Sequence, residues 1–428
     1  MPDTARAPDA EPAFKITTAR RTPGMGLLDC VGQPDMARLR TYRLGRVRAE
    51  LRARDYAGIV LYDPINIRYA TGSRNMAVWT LHNAARYCFV PTEGPVVLFD
   101  FHNCEHLSAG LETIDEVRPA RGWYYFSAGP HIAAQAKLWA AEIAALARAH
   151  GGGNRRLAFD HCDSHGAAAL AEEGVQVVEG QEVLELARSI KSADEIACMS
   201  ASVSVCEAGM AAMREALRPG ITEQQLWALL HKVNIEQGGE WIETRLLASG
   251  GRTNPWFQEA NDRIIRAGEL VSFDTDLIGP YGMCADISRT YFCGPGRPTP
   301  EQRTLYGLAW EQIHTNMALV KPGISFLELA EKSFKLPEDC RPNRYSVIFH
   351  GVGLCDEYPL GPYPEDLKMG GYDGVLQPGM TLCIESYMGR VGGDEGVKLE
   401  QQVLVTESGI ELLSTFPFED DLLPSRWI

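Results

Sequence analysis

The sequence predicts a protein of the α+β class in which a smaller α/β domain precedes a larger α+β domain. The chain has 428 residues, and at roughly 150 residues per domain this length suits two or three domains, of which we expect two. Hydrophobic residues make up 45% and charged residues 23%, the composition of a globular protein with a sizeable core. From residue 36 onwards, segments of helical period alternate with short apolar segments. We expect an N-terminal arm at 1–35, a first domain at 36–187 and a second domain at 188–428.

The first domain shows the alternation of helices and strands that is typical of an α/β unit. The arm before it is rich in Pro, Ala, Arg and Asp and has no periodicity, so it reads as a loose segment. Helices are predicted over 36–55 and 131–149. Strands are predicted over 57–63, 87–91, 95–101, 156–160 and 175–180.

The second domain has clear signals for where its helices begin. Thr222 with Gln225 and Thr299 with Gln302 each form a capping box, and Pro300 stands at the first helical position after Thr299. Helices are predicted over 194–217 and 222–237, from 299 to the residues before Lys321, and after a cap at Ser325. Strands rich in β-branched and aromatic residues are predicted over 241–249, 270–278, 287–293, 381–388 and 397–405.

The charge of the chain argues against two classes of partner. Lys plus Arg number 41 and Asp plus Glu number 56, which gives a net charge of −15. Such a field repels nucleic-acid backbones and anionic lipids. No apolar run approaches the roughly 20 residues that span a bilayer, and the N-terminus lacks a basic start followed by an apolar core. We therefore expect a soluble, cytoplasmic protein without a nucleic-acid or membrane partner.

Eleven cysteines are scattered along the chain without a CxxC pair or the spacing of a disulfide framework. We expect reduced thiols that pack as small core residues. Cys284, Cys355 and Cys383 lie within two residues of carboxylates that could bind a metal, so a thiolate ligand stays open as an alternative.

Carboxylates interrupt the apolar strands of the second domain. Asp274 and Asp276 are two residues apart in SFDTDLIG, so strand alternation would point both to one face, where two like charges need a cation. Asp286 follows after a turn, Glu385 lies inside LCIESYM, and Glu400 lies inside VKLEQQV. Each of these acids would be costly to bury alone.

One histidine completes this set. His350 lies in FHGVGL, where flanking glycines let the backbone turn tightly around the ring. Hard oxygen ligands with one imidazole suit two divalent ions, such as Fe, Mn, Co or Zn, bridged by carboxylates. The sequence therefore predicts a dinuclear metal site in the second domain.

The order Asp, Asp, His, Glu, Glu, in the contexts FDTD, ADISRT, HGVGL, IES and KLEQQVLVTESG, resembles the metallopeptidase superfamily of methionine aminopeptidase, aminopeptidase P, prolidase and creatinase. The resemblance covers roughly residues 185–415, and the preceding domain resembles that of aminopeptidase P, prolidase and creatinase. It implies a C-terminal pita-bread domain preceded by a smaller α/β creatinase-like domain. The metal ligands that it implies are Asp274 or Asp276, Asp286, His350, Glu385 and Glu400.

The sequence departs from the peptidase pattern beside these ligands. FDTD offers two aspartates where the peptidases have one, and HGVGLCDEYP has Asp356 and Glu357 where they carry a second histidine. A further substrate-facing histidine is missing from TNPWFQEAND (253–262). Peptide hydrolysis thus lacks its usual acid and electrophile. A carboxylate in an apolar pocket with Cys355 and Tyr358 would instead have a raised pKa, which suits abstraction of a proton from carbon.

Longer runs resemble the dimethylsulfoniopropionate lyase branch of the superfamily, the DddP-type enzymes. These runs are GGEWIETRLLASGGRTNPWFQEANDRII, FDTDLIGPYG, HGVGLCDEYPL, DPINIRYAT and NMAVWTLHN. The resemblance implies a homodimer that cleaves dimethylsulfoniopropionate to dimethyl sulfide and acrylate. It also implies iron bound at Asp274, Asp276, Asp286, His350, Glu385 and Glu400.

The resemblance also implies roles for residues that contact the substrate. It favours Asp356 as the base that removes the α-proton, but Glu357 stays open because adjacent residues usually point different ways. Trp79 and Tyr345 match positions that bind substrate in the family, and Trp256 is a further candidate. Aromatic faces suit a sulfonium cation, at about 0.5–2 kcal/mol for each ring.

Three other functions remain as alternatives. The first is a dinuclear-metal Xaa-Pro peptidase of the prolidase or aminopeptidase P type, against which the missing second histidine argues. The second is a creatinase-like enzyme that acts on another small zwitterion. The third is a non-catalytic pita-bread domain that binds partners, against which the complete ligand set argues.

Overall fold

A computed structural model describes residues 33–423 of the chain. Almost all of the arm expected at 1–35 therefore lies outside the described residues. The first domain contains six strands: β1 Gly58–Leu61, β2 Tyr87–Pro91, β3 Val97–Asp100, β4 Glu116–Pro119, β5 Arg156–Phe159 and β6 Gln176–Glu179. Its helices are α1 Met36–Ala53, α2 Pro64–Thr71, α3 Ala77–Thr80, α4 Tyr125–Ala128, α5 Ile132–His150, α6 Ser164–Glu172 and α7 Gln181–Ser189.

The strands of the first domain form one mixed sheet in the order β4-β3-β2-β1-β5-β6. β1 pairs with β2 in the antiparallel sense and with β5 in the parallel sense. The central strands β1, β2 and β3 are buried along their whole length, which explains their continuous apolar sequence. Helix α5 packs its buried side, including Trp139 and Ile143, into the core cluster beside this sheet.

Up to residue 423, the second domain is built from three sheets and five α-helices. Its strands are β7 Trp241–Ile242, β8 Leu247–Ser249, β9 Leu270–Phe273, β10 Leu277–Ile278, β11 Cys284–Ala285, β12 Arg289–Phe292, β13 Phe349–Val352, β14 Asp356–Gly361, β15 Thr381–Gly389, β16 Gly396–Val405 and β17 Ile410–Leu412. Its helices are α8 Ala193–Ala216, α9 Glu223–Glu236, α10 Pro300–Leu319, α11 Phe326–Lys332 and α12 Leu367–Gly370.

The sheets of the second domain place long buried strands at its centre. A five-stranded sheet has the order β14-β13-β15-β16-β17, and two three-stranded sheets have the orders β11-β10-β7 and β12-β9-β8. β15 and β16 are antiparallel partners over nine residue pairs, and every residue of both strands is buried. Acidic residues on these strands therefore lie in the protein interior and not at a solvent-exposed edge of the sheet.

Most of the predicted elements are confirmed, and two strands are wrong in an informative way. The capping boxes predicted at Thr222 and Thr299 are both present. The strand predicted over 241–249 is split into β7 and β8, and the one over 270–278 is split into β9 and β10. Between β9 and β10 the backbone turns through a positive φ of 36° at Asp276. This conformation is rare for residues other than glycine, and aspartate tolerates it better than most.

Five helices of the first domain were not predicted from the sequence, namely α2, α3, α4, α6 and α7. α2 follows directly on β1 and is capped by Asp63, with proline at its first position. α7 runs across the boundary expected between 187 and 188, and α8 begins after a capping box formed by Ser192 and Glu195. The chain between α7 and α8 is therefore only a few residues long.

One helix of the described part, α8, is long and apolar enough by length and composition to cross a membrane. Two thirds (67%) of its most apolar window is buried inside the protein. Burial of this kind is found for the core helices of globular domains, whose apolar sequence serves packing.

Ion pairs join the two domains. On α1, Arg43 pairs with Glu195 at 2.7 Å, and both side chains are buried. On α2, Arg68 makes a bidentate contact with Glu240, with both N···O distances at 2.8 Å. Because breaking a buried pair leaves an uncompensated charge, these contacts fix the first domain against the face of the second.

Candidate metal centre and active-site cleft

Two acids of the site are cross-strand neighbours. Glu385 on β15 lies directly opposite Glu400 on β16, and both side chains are completely buried. Directly opposed like charges destabilise a strand pair. The opposed carboxylates therefore need a cation beside them.

The two aspartates of FDTD lie in the same site, but strand alternation does not explain why. Asp274 follows β9, and Asp276 lies at the positive-φ turn before β10. The Asp276 backbone N–H donates to Asp286 Oδ1 at 3.3 Å, and Thr244 donates its hydroxyl to Asp276 Oδ2 at 2.5 Å. The turn, rather than the parity of a continuous strand, brings these carboxylates together.

His350 presents one free nitrogen to the acids. Its Nδ1 lies 3.0 Å from the Gly351 carbonyl oxygen, so this nitrogen carries the proton and donates it. Its Nε2 lies 3.5 Å from Asp286 Oδ2, 3.4 Å from Glu385 Oε1 and 3.6 Å from Glu400 Oε1. Ligand atoms held at about 2.1 Å around one ion in tetrahedral geometry lie roughly 3.4 Å apart. Each of the three carboxylate oxygens therefore lies at the distance from Nε2 that two ligands of one ion would have.

Within the described residues, three overlapping groups of donor atoms are close enough together to hold a metal ion. The first group is Asp286, His350, Cys383 and Glu400; the second is Asp274, Asp276 and Asp286; the third is Asp274, Glu385 and Glu400. Every member is buried. All six ligands expected from the sequence thus lie in one cluster, with one cysteine beside them.

Of the three cysteines considered as thiolate ligands, Cys383 alone joins one of these groups among the described residues. Burial raises the pKa of the Cys383 thiol well above its usual value, and the negative charge of Glu400 adds to this. The sulfur therefore stays protonated unless a cation displaces the proton. Carboxylates and the imidazole are the better donors of this site.

The electrostatics of the cluster indicate that it needs cations. Burial, together with repulsion by Asp276, raises the pKa of Asp286 well above its usual value. Burial, together with repulsion by Asp356, raises the pKa of Asp276 to about 7. In residues 33–423, no hydrogen-bond donor reaches Glu385 Oε1 or Glu400 Oε1, although both atoms are buried. Unpaired buried oxygens of this kind are costly, and divalent ions satisfy them. The residues present therefore fit the expected metal.

A buried lysine lies on the opposite side of the two glutamates. Lys398 Nζ lies 2.7 Å from Glu385 Oε2, 3.0 Å from Asp274 Oδ2 and 3.4 Å from Glu400 Oε2. Burial acts to lower the pKa of Lys398, but Asp274 and the glutamates outweigh it, and the pKa lies well above its usual value. These carboxylates therefore favour the charged ammonium form of Lys398.

A cleft of about 780 Å³ opens beside His350, and Asp356 and Tyr345 are among its lining residues. Asp356 Oδ1 lies 3.7 Å from His350 Nδ1, and 51% of the Asp356 side chain is exposed. Loss of hydration among the walls of the cleft raises the pKa of Asp356, and the attraction of His350 opposes this rise. Asp356 thus combines access to a substrate with the raised pKa that a carboxylate base needs.

Glu357 faces the opposite way from Asp356. Its side chain is completely buried; Oε1 lies 2.5 Å from Lys191 Nζ and Oε2 lies 3.0 Å from Arg188 Nε. Both cations belong to α7 and the short connection to α8, so Glu357 ties β14 to the junction between the domains. Burial raises the pKa of Glu357 as it does that of Asp356, but both Glu357 oxygens are held by cations and the side chain is closed to a substrate. The geometry therefore favours Asp356 in the choice that the sequence left open.

The three candidate aromatic residues occupy different environments. Tyr345 lines the cleft, with one contact to Lys398 Nζ at 4.5 Å from its ring and another to Phe257 at 5.4 Å between ring centroids. Trp79 is 37% exposed on α3 and does not belong to the described residues that line the cleft. Trp256 is buried and packs against Tyr387 at 6.0 Å, which is core packing.

Sequence reasoning missed Lys398, although a signal for it was present. In VKLEQQVLV, Lys398 is two residues before Glu400, so the two side chains share one face of the strand. A lysine inside a buried strand needs an acidic partner. The partners of Glu357 gave no such signal, because Arg188 and Lys191 lie far from it in the sequence.

Comparisons with known proteins agree with this architecture. The metallopeptidase family M24 matches residues 197–407, and the creatinase/prolidase N-terminal domain matches residues 43–190. The dimethylsulfoniopropionate lyase DddP of Roseovarius nubinhibens is 46% identical over 91% of this chain and 89% of its own length. The DddP lyase of Roseobacter denitrificans is 42% identical over 91% of this chain and 88% of its own. This chain belongs to the DddP family.

The DddP family shares its fold with peptidases. An Xaa-Pro dipeptidase from Bacillus anthracis superimposes with a TM-score of 0.71 at 21% identity, covering 89% of this chain and 99% of its own. A prolidase from Pyrococcus horikoshii gives a TM-score of 0.70 at 19% identity, covering 88% and 99%. These matches confirm the predicted fold class, a creatinase-like domain followed by a pita-bread domain. At such identities the likeness to the peptidases concerns the fold alone.

Proposed function

We propose that the protein is a carbon–sulfur lyase that cleaves dimethylsulfoniopropionate to dimethyl sulfide and acrylate. Identity of 42–46% to two DddP lyases over nine tenths of the chain supports this substrate. The observation that carries the reaction type is the position of Asp356, a cleft-exposed carboxylate 3.7 Å from His350 of the metal cluster. A base beside a cluster that binds a carboxylate suits proton removal from the carbon next to that carboxylate.

We propose that the centre binds two divalent ions and that the ions are iron. The first two donor groups, which share Asp286, would hold them, and Glu385 would add its Oε1, which lies 3.4 Å from His350 Nε2 of the first group. Mn, Co and Zn suit the same donors. When bound, divalent ions supply Lewis acidity that stabilises negative charge developing on the substrate carboxylate. The ligands would be Asp274, Asp276, Asp286, His350, Glu385 and Glu400.

The bond changes of the elimination balance without a further reactant. Asp356 accepts the proton from the α-carbon, and the electron pair of that C–H bond forms the double bond of acrylate. The bond between the β-carbon and sulfur breaks, and its electron pair stays on sulfur. Dimethyl sulfide leaves as a neutral molecule and needs no general acid. The proton on Asp356 is then released to solvent, because half of this side chain is open to the cleft.

We propose that Tyr345 binds the sulfonium end of the substrate in the cleft of its own chain, and that Trp79 contributes to this binding across the dimer interface proposed below. The Tyr345 ring lines the cleft, and an aromatic face attracts a cation. Trp79 lies on an exposed apolar surface of the first domain that also includes Met76, Val78 and Leu81. Exposed apolar surface of this kind is typical of a protein interface.

We further propose a homodimer that covers the apolar surface around Trp79. Light scattering on the purified protein is expected to give twice the chain mass of 47.2 kDa. The double charge substitution Val78→Glu with Leu81→Glu is expected to shift the mass towards one chain. A single-chain mass for the wild type would contradict the dimer and leave the lyase activity to be judged by itself.

We propose that the protein works in the cytoplasm. Ten cysteines of the described part are free of disulfide bonds. Unpaired thiols persist in reducing compartments.

The reaction is tested by headspace gas chromatography on purified protein loaded with Fe²⁺ and given dimethylsulfoniopropionate. We expect release of dimethyl sulfide with an equal amount of acrylate in solution, and elemental analysis is expected to find iron. An Xaa-Pro dipeptide serves as the matched substrate for the peptidase alternative, and we expect no proline from it. If metal-loaded protein released no dimethyl sulfide from dimethylsulfoniopropionate, or released proline rapidly from the dipeptide, the proposal would be contradicted.

A further inference from the structure

The third donor group differs from the other two because a cation of the chain already lies in it. Asp274, Glu385 and Glu400 each direct an oxygen to Lys398 Nζ, at 3.0, 2.7 and 3.4 Å. The ammonium also donates to Ser288 Oγ at 2.6 Å, and the lysine side chain is completely buried. Three carboxylates and one hydroxyl thus surround Lys398 as ligands surround an ion.

The two glutamates divide their oxygens between this ammonium and His350. The Oε2 atoms contact Lys398, whereas the Oε1 atoms lie 3.4 Å and 3.6 Å from His350 Nε2. Those Oε1 atoms are also the ones without a hydrogen-bond donor in the described part of the chain. Lys398 therefore leaves each glutamate one oxygen for a metal.

We propose that Lys398 is a built-in cation that takes the third donor group in place of a divalent ion and lowers the affinity of the whole centre for divalent ions. This inference rests on the metal positions of the proposed function. Lys398 contacts ligands and no substrate, so it is a positioning residue that acts on the centre by its charge and by the oxygens that it occupies.

The sign of the effect follows from charge. The cluster contains the six carboxylates of Asp274, Asp276, Asp286, Asp356, Glu385 and Glu400. Two divalent ions would leave an excess of negative charge, which Lys398 reduces by one unit. A fixed positive charge a few ångströms away repels an entering divalent ion, and at an effective dielectric constant of about 20 this repulsion is worth several powers of ten in affinity before relaxation. Relaxation and screening reduce that value, but not its sign.

The same charge stabilises the centre when no metal is bound. Without Lys398, Glu385 and Glu400 would face each other across β15 and β16 with no cation between them. The metal-free protein would then lose part of its stability, or the acids would hold protons. Lys398 thus stabilises the centre in its metal-free form.

The test compares Lys398→Met with Lys398→Arg in titrations of the metal-free protein with Mn²⁺, followed by electron paramagnetic resonance of the free ion. For Lys398→Met we expect binding that is roughly tenfold tighter or more, or one additional Mn²⁺ per chain, with a lower melting temperature before metal is added. Lys398→Arg keeps the charge and is expected to bind Mn²⁺ as the wild type does.

Several outcomes would overturn the inference. Equal or weaker Mn²⁺ binding by Lys398→Met would mean that the lysine does not oppose the ions. If Lys398→Met does not fold, Lys398→Gln provides the neutral side chain, and the same comparison applies. No substrate is present in these titrations, so they can fail while dimethyl sulfide is still released, and they can succeed while it is not.

Discussion

Replacing Asp356 by asparagine is expected to lower kcat for dimethyl sulfide release by roughly 10²- to 10⁴-fold, the usual loss when a general base is removed. Asparagine keeps the shape of the side chain but cannot accept the α-proton. Asp356 is half exposed, and within residues 33–423 it is a member of none of the three donor groups. We therefore expect an unchanged iron content and an unchanged melting temperature. Gas chromatography, elemental analysis and calorimetry measure the three quantities.

A second acid of the same cleft provides the control. Glu182 also lines the cleft, but its side chain is 61% exposed and pairs with Arg54 at 2.8 Å. Because exposed pairs contribute little, Glu182→Gln is expected to leave both kcat and stability close to those of the wild type. If Asp356→Asn also kept its activity, the base would have to be another group. If Asp356→Asn lost iron together with activity, the result would indicate that Asp356 is a metal ligand and not the base.

Local rules were sufficient to predict most of the fold from the sequence. The capping boxes at Thr222 and Thr299 are local hydrogen-bond patterns, and the structure confirms both. The long strands β15 and β16 were predicted for a similar reason, because their apolar composition indicates buried strands. The strand over 270–278 was wrong because the turn at Asp276 is stabilised by groups distant in sequence, including Thr244 and Asp286.

The ligand types of the site could be predicted from the sequence, but not which oxygen serves which cation. The chemistry of a buried acid is local information, whereas the direction of its side chain depends on tertiary partners. Asp356 and Glu357 illustrate the limit, because they are neighbours with the same chemistry. Only the positions of His350 on one side and of Arg188 and Lys191 on the other separate their surroundings.

Replacing Glu357 by glutamine is expected to have the opposite effect to Asp356→Asn, with a large loss of stability and a smaller direct loss of chemistry. The substitution leaves Lys191 and Arg188 buried without the carboxylate that both contact. Removing one partner of a buried ion pair typically costs about 3–5 kcal/mol. We expect a loss of this size in the free energy of unfolding, measured by urea denaturation of the metal-loaded protein.

A double-mutant cycle decides whether the loss of stability in Glu357→Gln comes from the buried cations left without a partner. Lys191→Met in the Glu357→Gln background removes one unpaired cation, and we expect it to restore part of the lost stability, whereas Lys191→Met alone is expected to be destabilising. Simple addition of the two losses would contradict the pairing.

The kinetics of Glu357→Gln give a separate readout. Once this variant is folded and loaded with metal, we expect it to keep most of its kcat at saturating substrate, because the proton acceptor Asp356 is still present. A kcat as low as that of Asp356→Asn in folded Glu357→Gln would instead mean that β14 needs this buried anchor to hold the base in place.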